Sequence, residues 1–286
     1  MTLPTHQRLA LSAAEQTGAL VGQTALVTGG SSGIGQAVAA SIGRAGADVL
    51  IGYHSDEDGA SETARLVRDA GLDHAGRTER RKVNVGDPDS VAAFFAAADD
   101  TFGAVDILVS NAGIQKDAAF LEMSFDDWSD VLSVNLHGQF LCAKAAAERF
   151  VKQGVREGVS RAAGKIVCMS SVHDVVPWAG RANYAASKGG LDMFMRTIAQ
   201  ELAPKRVRVN AVCPGAVRTP INEDAWKDED AYRRLMTKIP YGRIGETEDV
   251  ANLCTWLCTD EADYVTGASL YIDGGMTLFP SFTQGG

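Results

Sequence analysis

Downstream of residue 22 the chain alternates short, almost continuously apolar runs with longer stretches in which apolar residues recur every three or four positions. The runs are TALVTGG (24–30), ADVLIGY (47–53), RKVNV (81–85), VDILVSNAG (105–113), GKIVCMSS (164–171), VRVNAVCPG (207–215) and ASLYIDGG (268–275). Unbroken rather than alternating apolar character predicts strands buried on both faces, as in a parallel sheet. The amphipathic stretches predict helices over 34–45, 59–70, 88–102, 124–152, 182–203 and 247–258. DPDSV at 87–91 reads as a helix start, and the 182–203 helix stops before Pro204.

Strands separated by helices at this spacing imply βαβ units. The expected fold is α/β, a single doubly wound parallel sheet of about seven strands with helices on both faces. No linker, repeat or low-complexity segment divides the chain, so residues 23–286 read as one domain. Residues 1–22 are expected to be a loosely ordered tail, and the irregular, charge-rich stretch 216–245 is the candidate lid.

Composition narrows the partners. The 286 residues are 45% hydrophobic and 22% charged, which is ordinary globular composition. A net charge of −9 argues against nucleic acid as the main partner, because a phosphate backbone needs a basic face. No apolar run approaches the roughly 18 residues of a membrane span, and the first 22 residues lack the pattern of a signal peptide. The five cysteines are odd in number and scattered, so free thiols in a reducing cytoplasm are expected. Cys254 and Cys258 can share a helix face, but no histidine cluster joins them, and no metal site is expected.

The first βα unit carries the clearest chemistry. Gly29, Gly33 and Gly35 lie between a strand and a helix, with Ser31, Ser32 and Ile34 among them. Glycine is the generic turn residue, but in this position it lets the backbone approach a pyrophosphate, which the helix N-terminus then binds. Further along, Tyr184 and Lys188 stand one helical turn apart on one face. A lysine cation beside a phenol favours the phenolate and makes the tyrosine a usable general acid or base. A half-buried tyrosine beside a solvated lysine is the plain alternative.

The spacing GxxxGxG after Thr28, followed in order by SNAG (110–113), VNLHG (134–138), Ser171 with Tyr184 and Lys188, and CPG (213–215), resembles the short-chain dehydrogenase/reductase family over essentially the whole chain from residue 22. The resemblance implies a Rossmann-type fold, a nicotinamide cofactor, and hydride transfer between an alcohol or carbonyl and that cofactor. It implies that Ser171, with Ser170 as the neighbouring alternative, polarises the substrate oxygen while Tyr184 exchanges its proton. Lys188 would hold the nicotinamide ribose, and Asn135 would anchor a water on the proton path; without the family Asn135 reads as a helix-bulge or core amide. Asn84 and Val85 fall where the family has an adenine-contacting Asp-Val pair, and Asn111, Ala112 and Gly113 beside the adenosine ribose. Pro214, Gly215, Val217 and Thr219 complete the implied cofactor set.

The choice between NAD and NADP turns on the end of the second strand, where a carboxylate would bind the ribose 2′-hydroxyl and repel a 2′-phosphate. That place holds Tyr53, followed by His54 and Ser55. No carboxylate blocks the phosphate and no arginine follows to pair with it, so dual use leaning to NADP is expected, with Ser55 and His54 at the phosphate. Longer strings, MSSVHDVVPWAG (169–180), PGAVRTPIN (214–222) and DGGMTLFPSF (273–282), resemble sugar dehydrogenases of this family. His173 then falls near the sugar, or is a plain loop histidine, and Gln115 and Arg218 replace an acid and an asparagine of that group. The competing readings are a 3-oxoacyl thioester or other carbonyl reductase and a non-catalytic nicotinamide-binding regulator. The family also implies a homotetramer.

Overall fold

The structure, a computed structural model, describes residues 11–278. Among them, seven parallel strands form one sheet in the order β3-β2-β1-β4-β5-β6-β7. They are β1 (Thr24–Thr28), β2 (Asp48–Tyr53), β3 (Thr78–Lys82), β4 (Ile107–Ser110), β5 (Gly164–Met169), β6 (Val207–Pro214) and β7 (Ser269–Ile272). The fully buried runs of β1, β4, β5 and β6 explain their continuous apolar sequence.

Two apolar layers sandwich the sheet. On one face α2 (Gly33–Arg44) and α3 (Glu57–Arg68) pack Val38, Ile42 and Ala60 against β1 and β2, and α9 (Thr247–Cys258) packs Val250 and Leu257 against β5 and β6. On the other, α4 (Pro88–Phe102), α6 (Gly138–Gln153) and α7 (Ala182–Leu202) contribute Phe94, Phe95, Phe150, Leu191 and Met195. The strand order reverses between β1 and β4, and the crevice beyond their carboxyl ends is where such sheets bind ligands.

Three expectations need correction. Residues 12–17 of the supposed loose tail form the capped helix α1 (Ala13–Thr17), where Glu15 is 2% exposed and pairs with Arg44 at 2.6 Å. Leu20, fully buried, fixes the following turn through its N–H to the Ala45 carbonyl. The third strand lies at Thr78–Lys82, not 81–85, because its edge position lets a polar TERRK segment pair with β2 while Val83 and Val85 turn onto the core. The predicted 124–152 helix is α5 (Phe125–Leu132) and α6 joined by a π-turn, Ser133–His137, that contains Asn135. The segment 216–245 includes a 3₁₀ stretch (Pro220–Ala225) and α8 (Glu229–Met236), its base closed by a bridge between Val217 and Gly245. The Phe-Pro-Ser-Phe string at 279–282 lies outside the described residues.

Candidate active site

The glycine turn after β1 is shaped by close approach. Gly29 and Gly33 have φ of +64° and +53°, which side-chain-bearing residues rarely adopt. A Cβ on Gly35 would stand 2.0 Å from the Gly29 carbonyl oxygen, so the first turn of α2 can lie against the loop only as glycine. Thr28 and Asn111 tie this turn to the end of β4. Thr28 Oγ1 accepts from the N–H groups of Asn111 and Ala112 at 3.0 and 3.1 Å, and Asn111 Nδ2 donates to the carbonyls of Thr28 and Gly29. Ser31 gives its carbonyl to Gln36, whereas Ser32 stands exposed at the N-cap with its hydroxyl making no capping bond. Ile34 packs its side chain onto the core. This cradle fits a dinucleotide pyrophosphate at the N-terminus of α2.

Across the crevice, a Cβ on Gly33 would lie 3.4 Å from Thr219 Cγ2, which places the start of the lid segment beside the glycine turn. Thr219 is fixed by Asn222 Oδ1, which accepts from both its N–H and its hydroxyl. Pro214 ends β6, and Gly215 is held so close to β7 that a Cβ there would meet Asp273 at 2.8 Å. Val217 is buried. Along the other half, Asn84 Oδ1 accepts from the Gly86 N–H, leaving its amide as donor, while Val85 is a core residue. Tyr53 is half-buried, and His54 and Ser55 are exposed.

The four residues expected to carry chemistry come together around the start of α7. Lys188 is 3% exposed and its Nζ donates to the Met169 carbonyl at 2.7 Å, with the Tyr184 ring centroid 5.5 Å away. Ser171 caps the short turn Val172–Asp174, its Oγ accepting from the His173 N–H and its own proton left available. Ser170 instead donates to Asp174, whose carboxylate also receives the Cys213 thiol and the Tyr271 hydroxyl. Burial and the Asp174 carboxylate push the Cys213 thiol up, above the usual range. Geometry therefore favours Ser171 of the two serines. Asn135, fully buried, pairs both ways with Ile114 through Oδ1 at 2.8 Å and Nδ2 at 3.0 Å, and reaches Ser187 Oγ at 3.3 Å. Ser187 in turn donates to the Tyr184 carbonyl.

His173 stacks on Trp178 with centroids 4.1 Å apart, and its ring lies 6.4 Å from that of Tyr184. Its Nδ1 donates to the Val176 carbonyl, and burial holds its pKa below the usual histidine value against that bond. The neutral ring then offers the Nε2 lone pair as an acceptor. The Arg181 guanidinium also lies over the Trp178 ring, 3.6 Å from its centroid. Gln115 makes no hydrogen bond among the described residues. Arg218 is engaged elsewhere, with Glu246 at 3.3 Å and over the Trp226 ring at 4.7 Å.

The family model described as enoyl-(acyl carrier protein) reductase matches residues 29–277. The chain belongs to the short-chain dehydrogenase/reductase family. It is 42% identical to 3beta-hydroxysteroid dehydrogenase 1 of Eggerthella lenta, over 93% of this chain and 98% of that relative. To glucose 1-dehydrogenase 2 of Bacillus subtilis it is 40% identical, over 92% and 97%. A gluconate 5-dehydrogenase from Burkholderia cenocepacia, solved in complex with NADP and tartrate, superposes with a TM-score of 0.82 at 31% identity, covering 93% of this chain and 99% of that one. The protein is thus an NAD(P)-dependent dehydrogenase acting on CH–OH groups.

Proposed function

We propose that this short-chain dehydrogenase oxidises a hydroxyl of an aldose or related polyhydroxy compound, with NADP preferred to NAD. The observation that carries the substrate reading is the neutral His173 ring beside Tyr184, which supplies an acceptor lone pair close to the reacting hydroxyl. A polyol leaves several hydroxyls to satisfy, and each unpaired buried one costs about 1–3 kcal/mol. His173 and the free amide of Gln115 are the groups offered to them.

The bound nicotinamide would accept the hydride from the carbinol carbon. The chain supplies the rest. Ser171 donates a hydrogen bond to the substrate oxygen, and Tyr184 removes its proton. Lys188, locked against Met169, places its ammonium beside the Tyr184 ring, where it stabilises the phenolate that accepts this proton. Asn135 keeps the segment carrying Gln115 in register, and the lid from Arg218 to Ile244 excludes water. Exposed Phe140 on α6 and Met193 on α7 offer apolar surface for a homotetramer, which light scattering would show. The buried free thiols suit a reducing compartment such as the cytoplasm.

The test is nicotinamide absorbance with purified protein, NAD+ and NADP+ separately, against glucose, other aldoses, simple secondary alcohols and a 3β-hydroxysteroid. Aldose-dependent reduction of NADP+ is expected. Turnover of the steroid with none of the sugars would overturn the substrate reading, and inactivity across the panel would favour a non-catalytic role.

A further inference from the structure

A cavity of about 470 Å³ opens at the outer edge of the sheet, lined among others by Tyr53, His54, Arg80, Arg81, Lys82 and Asn84. Its lining holds three consecutive cations and no carboxylate, in a chain with 36 acidic and 27 basic residues. The neighbouring arginines are neutralised, Arg65 by Glu62 and Asp69, and Arg77 by Asp48. None of Arg80, Arg81 and Lys82 makes a side-chain hydrogen bond or ion pair among the described residues. Unpaired like charges repel one another, so a triplet without carboxylate partners is suited to an anion.

Register says which anion. β3 pairs with β2 so that Lys82 stands beside Tyr53 and Arg81 beside Gly52. Parallel neighbours lie about 4.8 Å apart and direct their side chains to the same face, so the Lys82 stem emerges alongside Tyr53. The end of β2 is where a dinucleotide ribose presents its 2′ position. Resting on the dinucleotide reading above, we propose that Lys82 is the cationic half of a 2′-phosphate subsite and sets the preference for NADP, with Arg81, on the opposite face of β3, adding only longer-range positive charge at the rim of the same cavity. His54 and Ser55 supply the neutral half.

The carboxylates closest to this place do not line the cavity. Asp56 is turned to the Gly59 N–H as the cap of α3, and Glu57 and Asp58 lie in that helix's first turn. Glu79 shares the face of Arg81, two residues below it, so Lys82 is the stronger contributor. The sequence hides this arrangement because the cations follow the glycine turn on a different strand, 29 positions beyond Tyr53 in the case of Lys82.

The test compares binding by calorimetry of 2′,5′-ADP with 5′-AMP, which differ only in the 2′-phosphate, and of NADP+ with NAD+. In wild-type protein the 2′-phosphorylated member of each pair should bind more tightly, by about tenfold for one charge-assisted contact, and that margin should shrink in high salt. Lys82→Ala with Arg81→Ala should erase the margin while leaving NAD+ affinity unchanged, and Lys82→Glu should invert it. Both variants alter exposed edge-strand side chains, and a thermal melt confirms folding. An unaltered margin, or an equal loss for both ligands of a pair, would overturn the subsite. If wild-type protein bound NAD+ in preference to NADP+, this inference would fall together with the proposed cofactor preference and leave the substrate reading standing; if it bound neither dinucleotide, the whole proposed function would fall with it.

Discussion

Lys188 Nζ donates to the Met169 carbonyl at 2.7 Å and stands 5.5 Å from the Tyr184 ring centroid, so the cation is fixed by the strand that leads to Ser171. Tyr184 and Ser171 are thereby referred to one rigid point. Tyr184→Phe keeps the ring and removes only the hydroxyl that exchanges the proton. It should lower kcat by about 10²–10⁴ with dinucleotide affinity nearly unchanged, as read by steady-state rates and calorimetry. Near-normal turnover in the Phe variant would remove Tyr184 from the chemistry.

Asn135 closes a two-way bond with the main chain of Ile114 from inside the π-turn. Asn135→Ala leaves a part-buried N–H and carbonyl unpaired, at about 1–3 kcal/mol for such a group. The expected result is a lower melting temperature together with a raised KM, because Gln115 follows directly. Asn135→Asp keeps the acceptor and loses the donor, and should melt between wild type and Ala. Equal melting of all three would show that the Ile114 contact contributes nothing.

The layers were legible because buried parallel strands write themselves as unbroken apolar runs, as Val27, Ile51, Val109 and Val209 show. The π-turn was not. Its flanking residues Leu132 and Gly138 have ordinary helical φ and ψ, and one extra residue per turn leaves no mark on residue type. β3 was misplaced because an edge strand needs no apolar face. Tyr184, Lys188 and Ser171 were legible from order and spacing, whereas Arg218 shows what spacing omits: a side chain in the right segment can be engaged by Glu246 and Trp226 instead. The same limit concealed Lys82, whose relation to Tyr53 is lateral.

Glu15 tests the corrected N-terminus. Its carboxylate is 2% exposed and bonds Arg44 and the Ser12 N–H, while Arg44 retains contact with water. Glu15→Ala should destabilise by about 2 kcal/mol, below the 3–5 typical of a fully buried pair because Arg44 can rehydrate. Chemical denaturation would measure it, and a loss near zero would mean that α1 is only loosely attached.

Lys165 gives a pH prediction. It is 1% exposed, donates to Gln23 Oε1, and burial lowers its pKa from 10.5 to about 8. Between these values the unfolded chain holds a proton that the folded chain has released, so stability rises with pH from about 8 to 10.5. Lys165→Met should remove that rise, seen as a flat difference between variant and wild type below pH 8 that changes above it. Parallel stability curves throughout would mean that Lys165 keeps its proton in the fold.

Arg218 decides between a lid anchor and a substrate contact. Its main-chain N–H binds the Gly245 carbonyl at 2.8 Å whatever the side chain, so Arg218→Ala leaves the base of the lid closed and removes only the Glu246 pair and the Trp226 stack. An anchor acts on closure. Its loss should raise KM for every substrate alike and leave kcat nearly unchanged. Arg218→Lys should rescue only partly, because an ammonium keeps the charge and loses the planar stack. A substrate contact would instead show as a changed ranking among aldoses differing at one hydroxyl, since only the sugar that used the guanidinium would suffer. Kinetics of Arg218→Ala across such a series separates the two, and the engagement with Glu246 and Trp226 favours the uniform rise.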